Sequence, residues 1–138
     1  MATTIRPEIS EKNKYWIDKH RHYELKHFCL QYPKWKLEYS LINIGPATTT
    51  FGQLYSSNTY SDPTSKIALT RYDYLERIKM IEVAAREADS DLSSYILKAV
   101  TEGLSFTYLK NVLRIPCGRD LYYNRYRKFF WLLDRLRK

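Results

Sequence analysis

The sequence predicts an all-α protein of about six helices that ends in a helix-turn-helix module. Apolar residues recur at steps of three and four along several segments, which is the spacing of one helix face. Residues typical of helix ends, such as Asp62-Pro63 and Gly103, stand where these repeats begin and end. We therefore expect an N-terminal helical segment over 1–42, a flexible loop or linker over 43–62, and a helix-turn-helix domain over 63–138.

The composition is that of a folded protein with an excess of positive charge and many aromatic residues. A chain of 138 residues corresponds to one domain, or to one domain with an appended subdomain. Hydrophobic residues make up 44% and charged residues 28%, which is ordinary for a folded protein and argues against wholesale disorder. The net charge of +8 and the 13 tyrosines are less ordinary. Excess cations raise the affinity for phosphate polymers and acidic surfaces, and aromatic rings add stacking.

The N-terminal segment contains two predicted helices. The first spans about 17–31, where apolar residues recur at helical spacing. Pro33 suits the first turn of the second helix because that position needs no amide donor, and this helix ends near Ser40. The shared face of the second helix comprises Trp35, Tyr39 and Ile42.

The loop predicted over 43–62 is rich in Gly, Pro, Ser, Thr and Asn, which favour turns and irregular structure. Asp62 then serves as an N-cap, with Pro63 at the first helical position. The long helix that follows ends near Asp89. Its predicted buried face is Ile67, Tyr74, Ile78, Ile81, Ala85 and Ala88.

The next predicted helix starts with Ser90 or Asp91 as its cap and ends at Gly103, a residue that favours helix C-termini. Its predicted core positions are Leu92, Tyr95, Ile96, Ala99 and Val100. A short helix from Ser105 to Leu113 follows, with Ser105 as its cap. We expect its inward side chains to be Leu109, Val112 and Leu113.

The last predicted helix follows a break at Pro116 and Gly118. Proline cannot continue a helix, and glycine permits backbone angles that turns often need. The helix begins near Gly118 or Arg119. The predicted buried stripe is Tyr122, Tyr126, Phe129, Leu133 and Leu136.

The opposite side of this helix carries the candidate site. Residues 119–138 contain seven Lys and Arg against two Asp, which is the local charge excess expected of a DNA-binding face. Residues near Arg119 and Arg125 are expected to reach base edges, while later cations meet phosphates. The predicted DNA-binding residues are Arg119, Asp120, Tyr122, Tyr123, Arg125, Arg127 and Lys128, with Arg135 and Arg137 as further phosphate contacts.

The segment "EGLSFTYLKNVLRIPCGRDLYYNRYRKFFWLLDRL" resembles the helix-turn-helix of sigma-factor region 4. It is similar also to small phage regulators of the RinA and ArpU kind. The likeness covers about 90–138, with Gly103 as the entry, Ile115 as the apolar turn residue and Leu121 within the last helix. The resemblance implies transcriptional regulation in a phage or mobile element through double-stranded DNA. Pro116-Cys117-Gly118 departs from the usual Ser or Thr cap.

Enzymatic and metal functions are weaker interpretations. His20, Glu24 and His27 share a helical face, but the H-E-x-x-H spacing of zinc enzymes is absent, and we expect neither a metal nor a cofactor. Cys117 precedes a helix, where the dipole and Arg119 would favour a thiolate. Every histidine lies in the remote N-terminal helix, so no base is positioned to activate Cys117. We expect the protein not to be an enzyme.

Two other functions remain open. The chain is also consistent with a DNA-packaging protein like the small terminase subunit, or with a phage protein that inhibits a host protein, such as RNA polymerase. A packaging protein should form a ring of many copies, whereas a regulator should be a monomer or dimer. No apolar run near the ~18 residues of a membrane span is present, and we expect a cytoplasmic location in a bacterial host.

Overall fold

The computed structural model describes residues 12–43 and 63–137, and their regular structure is entirely α-helical. This confirms the predicted all-α class with about six helices. The loop expected over 43–62 lies outside the described residues, apart from Asn43, and so does the predicted Asp62 cap. The helices are α1 (Lys19–Leu30), α2 (Tyr32–Asn43), α3 (Pro63–Ala88), α4 (Ser93–Glu102), α5 (Phe106–Asn111) and α6 (Arg119–Leu136).

The described residues belong to two compact units. The first contains 12–31 and 80–137, and the second contains 32–43 and 63–79. This division differs from the predicted segments 1–42 and 63–138. The physical reason is that α1 packs against α4 and α6, which joins it to the C-terminal helices.

The core of the first unit forms around α4, which contacts α1, α5 and α6. Helix α4 buries Ile96, Ala99 and Val100, so it presents small and branched side chains to its neighbours. Burial of such side chains is the main stabilising contribution to a helical core. The largest fully buried side chains of this unit are Leu25, Ile81, Ile96, Leu109, Ile115, Tyr122, Phe129, Phe130 and Leu133.

An aromatic cluster packs α6 against α1 and α5. The Phe130 ring lies 4.6 Å from the His22 ring of α1 and 5.0 Å from the Tyr126 ring, both edge-on. Tyr122 reaches the Phe106 ring of α5 at 5.4 Å. Such pairs contribute roughly 0.5–1.5 kcal/mol each beyond their area burial. Phe106 and Phe130 are absent from the predicted core, whereas the structure buries both.

Two predicted core positions are wrong. Val112 is 54% exposed and Leu136 is 43% exposed. Helix α5 ends at Asn111, which places Val112 beyond the face that Leu109 buries. Leu136 is the last residue of α6.

The helix ends agree with the predicted caps at most points. Ser105 Oγ accepts a hydrogen bond from the Tyr108 amide at 3.2 Å, and Gly103 ends α4 in the left-handed region with φ 72°. The predicted cap at Ser90 or Asp91 is wrong, because α4 starts at Ser93 and its N-cap is Leu92, which makes no side-chain cap hydrogen bond. Asp89 instead stabilises the turn before α4. Its Oδ1 accepts from the amides of Asp91 and Leu92 at 2.9 and 3.1 Å.

The second unit consists of α2 and the first part of α3. Trp35, Ile42 and Ile78 are buried within it, as the predicted faces require. Tyr74 Oη donates to Glu38 Oε1 at 2.8 Å. A cavity of about 200 Å³ beside Tyr39 is smaller than typical small-molecule sites, which begin near about 300 Å³.

Candidate nucleic-acid interface

The connection between α5 and α6 spans 112–118 and is longer than the usual turn of about 3–4 residues in this motif. Its conformation depends on Ile115, which is buried and whose amide donates to the Leu109 carbonyl at 2.9 Å. Lys110 Nζ donates to the Cys117 carbonyl at 3.3 Å, which joins the far end of the turn to α5. The predicted apolar turn residue therefore anchors the connection.

Arg114 adopts a left-handed conformation within this turn. Its φ is 59°, and it is the non-glycine residue with positive φ among the described residues. A side chain in this region costs on the order of 1 kcal/mol or more. Its side chain is exposed. Strain of this kind concentrates at functional sites, so Arg114 joins the candidate site although the sequence analysis did not select it.

The start of α6 is open to solvent. Gly118 is its N-cap, with φ −86° and ψ 175°, and no atom would meet a Cβ there within 4 Å. Gly118 therefore does not use the positive φ that glycine permits; the positive φ of the turn lies at Arg114. Arg119 is exposed, and its guanidinium lies 5.2 Å over the Phe106 ring and 6.0 Å over the Tyr123 ring.

Helix spacing defines which side chains of α6 face outward. Tyr122, Phe129 and Leu133 are buried on one side. The opposite line starts at Asp120 and Leu121, both exposed. From Asn124 it continues at steps of four, three and four residues. The residues on this continuing line are Asn124, Lys128, Trp131 and Arg135. Leu121 and Asn124 are absent from the predicted site, although this spacing could have found them.

We call Arg114, Arg119, Asp120, Leu121 and Asn124 the reading surface. It combines two cations with an acceptor, an apolar side chain and an amide at one end of a rigidly packed helix. Arginine bonds guanine, asparagine bonds adenine, carboxylates accept from cytosine, and apolar groups contact the thymine methyl. Asn124 is half-exposed, and its Oδ1 already accepts a hydrogen bond from Arg125 Nη1.

The other predicted site residues have different surroundings. Tyr122 is 1% exposed, so burial prevents it from contacting DNA. Tyr123 is half-buried against the Tyr122 ring at 4.9 Å. Arg127 is half-buried, and its Nε is buried without a hydrogen-bond partner in the described part of the chain. Lys128 is half-exposed on the outward line.

Arg125 is engaged by the protein itself. Its Nε donates to Asp89 Oδ2 at 3.0 Å, and its Nη1 donates to Asn124 Oδ1 at 2.5 Å. The first bond joins α6 to the Asp89 carboxylate in the turn before α4. Arg125 is therefore paired within the protein, whereas the sequence predicted that it contacts DNA.

The two cysteines are thiols in a protein environment that disfavours their charged form. Burial raises the pKa of Cys117; Lys110 lowers it, and Asp89 raises it further. The prediction that Cys117 favours the thiolate is therefore wrong. Burial strongly raises the pKa of Cys29.

We expect Cys117 to react with iodoacetamide more slowly than free cysteine at pH 7.5, because less of it is thiolate. Raising the pH toward 9 should accelerate its alkylation, which mass spectrometry of timed aliquots would follow. Cys29 should react only after denaturant is added. Alkylation of Cys117 at the rate of free cysteine at pH 7.5 would contradict the raised pKa.

The N-terminal histidines have different surroundings along α1. In residues 12–43 and 63–137, no three His, Cys, Asp or Glu side chains lie close enough together to hold a metal ion. His20, Glu24 and His27 are exposed along α1. His22 is instead buried, against the Phe130 ring.

Comparison with known proteins identifies no relative of this chain. No protein-family model, curated protein or solved structure matches the chain. Among the described helices, none is both long and apolar enough to cross a bilayer.

Proposed function

We propose that this protein binds double-stranded DNA in a sequence-dependent manner through the reading surface, as a transcriptional regulator of a phage or mobile element. The observation that carries this proposal is the start of α6. Arg119, Asp120 and Leu121 are exposed there, while the same helix buries Tyr122 and Phe129 in the core. A recognition helix needs one rigidly packed face and an accessible first turn to enter the major groove.

The charge of the region supports the same function. Residues 104–137 contain eight Lys and Arg and two Asp. One of those acids, Asp134, is paired with Arg21 through a 2.6 Å contact. The remaining excess of positive charge would attract a phosphate backbone and place α6 near the bases.

Arg119→Ala should weaken binding to a preferred duplex about tenfold, in line with the ~1–3 kcal/mol value of a bidentate base contact. Fluorescence anisotropy on a selected duplex and on a random duplex would measure the loss. A larger loss on the selected duplex assigns a base contact to Arg119. An equal loss on both assigns a phosphate contact. No loss on either would remove Arg119 from the interface.

Arg114→Gly provides a variant in which misfolding cannot explain lost binding. Glycine adopts positive φ without steric strain, so the free energy of unfolding should change by less than about 1 kcal/mol. DNA affinity should nevertheless fall, because a cation is removed. Lys98→Gln is the matched control, since Lys98 is an exposed cation paired with Glu102 at 3.3 Å. No duplex binding by the unaltered protein even at low salt would overturn the proposed function.

One observation favours a protein partner as the alternative. The second unit exposes four large apolar side chains, which is the composition expected of a protein-binding surface. A host-protein inhibitor would use such a surface and would lack DNA affinity at moderate salt. These side chains are Leu37, Leu41, Leu69 and Tyr72.

A further inference from the structure

A second feature of α6 lies beyond the reading surface. On the C-terminal half of the outward line, Trp131 is half-exposed and Arg135 is exposed. The segment before α1 places two more residues beside them. The Tyr15 ring lies 5.5 Å from the Trp131 ring at an interplanar angle of 61°. Lys14 is exposed. We call Lys14, Tyr15, Trp131 and Arg135 the cation–aromatic ladder.

Both cations of the ladder are held over rings. Arg135 Cζ lies 4.5 Å from the Trp131 ring centroid, and Lys14 Nζ lies 5.1 Å from the Tyr15 centroid. A cation attracted to a ring face loses less side-chain freedom when it binds a partner. The rings thus hold two charges, one from each segment, in position on one surface.

The acid nearest the ladder in sequence is neutralised. Asp134 precedes Arg135, and its carboxylate would repel an anionic partner if it were unpaired. Arg21 Nε donates to Asp134 Oδ1 at 2.6 Å, and Arg21 Nη1 bonds Glu24 Oε1 at 3.0 Å. From Asn124 to the end of α6, Asp134 is the only acidic residue. The half of this surface that α6 forms therefore presents positive charge and an aromatic ring.

The ladder continues the line on which the reading surface begins. Arg135 is eleven residues after Asn124, which is about 16 Å along a helix that rises ~1.5 Å per residue. Lys128 lies between them on the same line and is half-exposed. A duplex lying along this face would meet the reading surface and then the ladder.

We infer that the cation–aromatic ladder is a second contact surface for the phosphate backbone of duplex DNA, with Lys14 and Arg135 each meeting a phosphate. This inference rests on the proposed function, because it takes the duplex to lie along the outward line of α6. It assigns the segment before α1 a role in binding. Phosphate contacts carry no sequence information, so the ladder adds affinity equally on every duplex.

The test is a Lys14→Gln/Arg135→Gln double variant titrated with random duplex from 0.05 to 0.3 M salt. Each lost phosphate contact lowers the slope of log affinity against log salt by about 0.9, so the slope should become shallower by about two. Affinity at 0.1 M salt should fall at least roughly tenfold, and the gap should narrow as salt rises. Melting of the variant, followed by circular dichroism, verifies that it is folded.

The matched control removes two cations elsewhere in the same unit. Arg86 and Lys98 are both exposed, on α3 and α4, and Arg86→Gln/Lys98→Gln removes the same charge. Its slope should stay within about half a unit of the unaltered protein. Equal effects of the two double variants would overturn the inference, because net charge alone would then explain the loss.

A third variant separates the rings from the charges. Trp131→Leu keeps Lys14 and Arg135 but removes the ring beneath Arg135, so affinity should fall only roughly threefold with the salt slope unchanged. An unchanged slope in the Lys14/Arg135 variant, with Arg119→Ala still impaired, would overturn the ladder and leave the proposed function standing. Absence of binding by the unaltered protein would overturn both, and the ladder would then fit an acidic protein instead.

Discussion

Phe130→Ala should lower the free energy of unfolding by about 3–5 kcal/mol, the range for removing a buried aromatic side chain. Phe130 is 1% exposed and packs between the rings of His22 and Tyr126, so the cavity would open where α1 meets α6. Typical domains have about 5–15 kcal/mol of stability, so the loss would leave the fold marginal. Urea denaturation followed by circular dichroism would measure it.

Leu136→Ala is the matched control because the sequence pattern assigns Leu136 to the core, whereas the structure exposes it by 43%. Its cost should stay below about 1 kcal/mol. If Phe130→Ala does not fold, Phe130→Leu should still fold and lose about 1–2 kcal/mol, since it keeps most of the volume. A larger cost for Leu136→Ala than for Phe130→Leu would show that Leu136 belongs to the core, as the sequence pattern predicts.

Asp89→Ala should lower the free energy of unfolding by about 2 kcal/mol. The change removes the carboxylate that accepts from two amides of the turn before α4, worth about 1 kcal/mol, and the charge-assisted bond to Arg125, worth a similar amount at a partly exposed site. The Asp89 side chain is 17% exposed and that of Arg125 is 32% exposed. Because Asp89 also ties α6 to α4, DNA affinity should fall together with stability.

Asp91→Ala is the control for this change. Asp91 is exposed, and its amide, rather than its carboxylate, bonds to Asp89, so the cost should stay below about 0.5 kcal/mol. Asp89→Asn should fall between the two, because an amide oxygen can still accept from the turn amides but cannot form an ion pair with Arg125. Equal stabilities for Asp89→Ala and Asp91→Ala would contradict the role assigned to Asp89.

The contribution of Asp89 to the free energy of unfolding should also depend on pH. Burial acts to raise the pKa of Asp89, but hydrogen bonds from Arg125 and from the amides of Leu92 and Asp91 outweigh it, and the pKa is lowered. A carboxyl whose pKa is lowered in the folded state contributes its full stabilisation at pH values above its pKa in the unfolded state, which is about 3.9. The stabilisation is lost as the pH falls through the folded pKa. The difference between the unaltered protein and Asp89→Ala should therefore shrink below about pH 4.

The residue preferences of helix caps were sufficient to predict the ends of several helices from the sequence. Ser105 caps α5, Gly103 ends α4 with a positive φ, and α6 begins at Arg119, as the sequence predicts. These features depend on backbone groups within a few residues of the side chain involved, so they can be read from neighbouring residues. The predicted caps at Ser90 and Asp91 were wrong because α4 starts only at Ser93, with Leu92 as its N-cap.

The candidate site was predictable only in part. The sequence locates the charge excess and the exposed Arg119, because both follow from composition and helix starts. Helical spacing had already assigned Tyr122 to the buried stripe, so its inclusion in the predicted site was wrong on sequence grounds. The sequence could not show that Arg125 pairs with a residue 36 positions away. The strained angle at Arg114 also has no local signal, because arginine is not a residue that favours positive φ.

By itself, the sequence determined the all-α class, the positions of most helix ends and the concentration of positive charge in the last helix. Periodicity, capping and composition are local or additive properties, so no tertiary contact is needed to predict them. Only the tertiary structure decided that Phe106 and Phe130 join the core and which cations are available to a partner. Those outcomes depend on packing by α1, α4 and α5. In the packed protein, Arg125 and Asp134 form ion pairs. The Tyr15 ring lies beside Trp131, with Lys14 over the Tyr15 ring. Side chains far apart in the chain compete for the same partners, and a linear pattern does not show which contacts win.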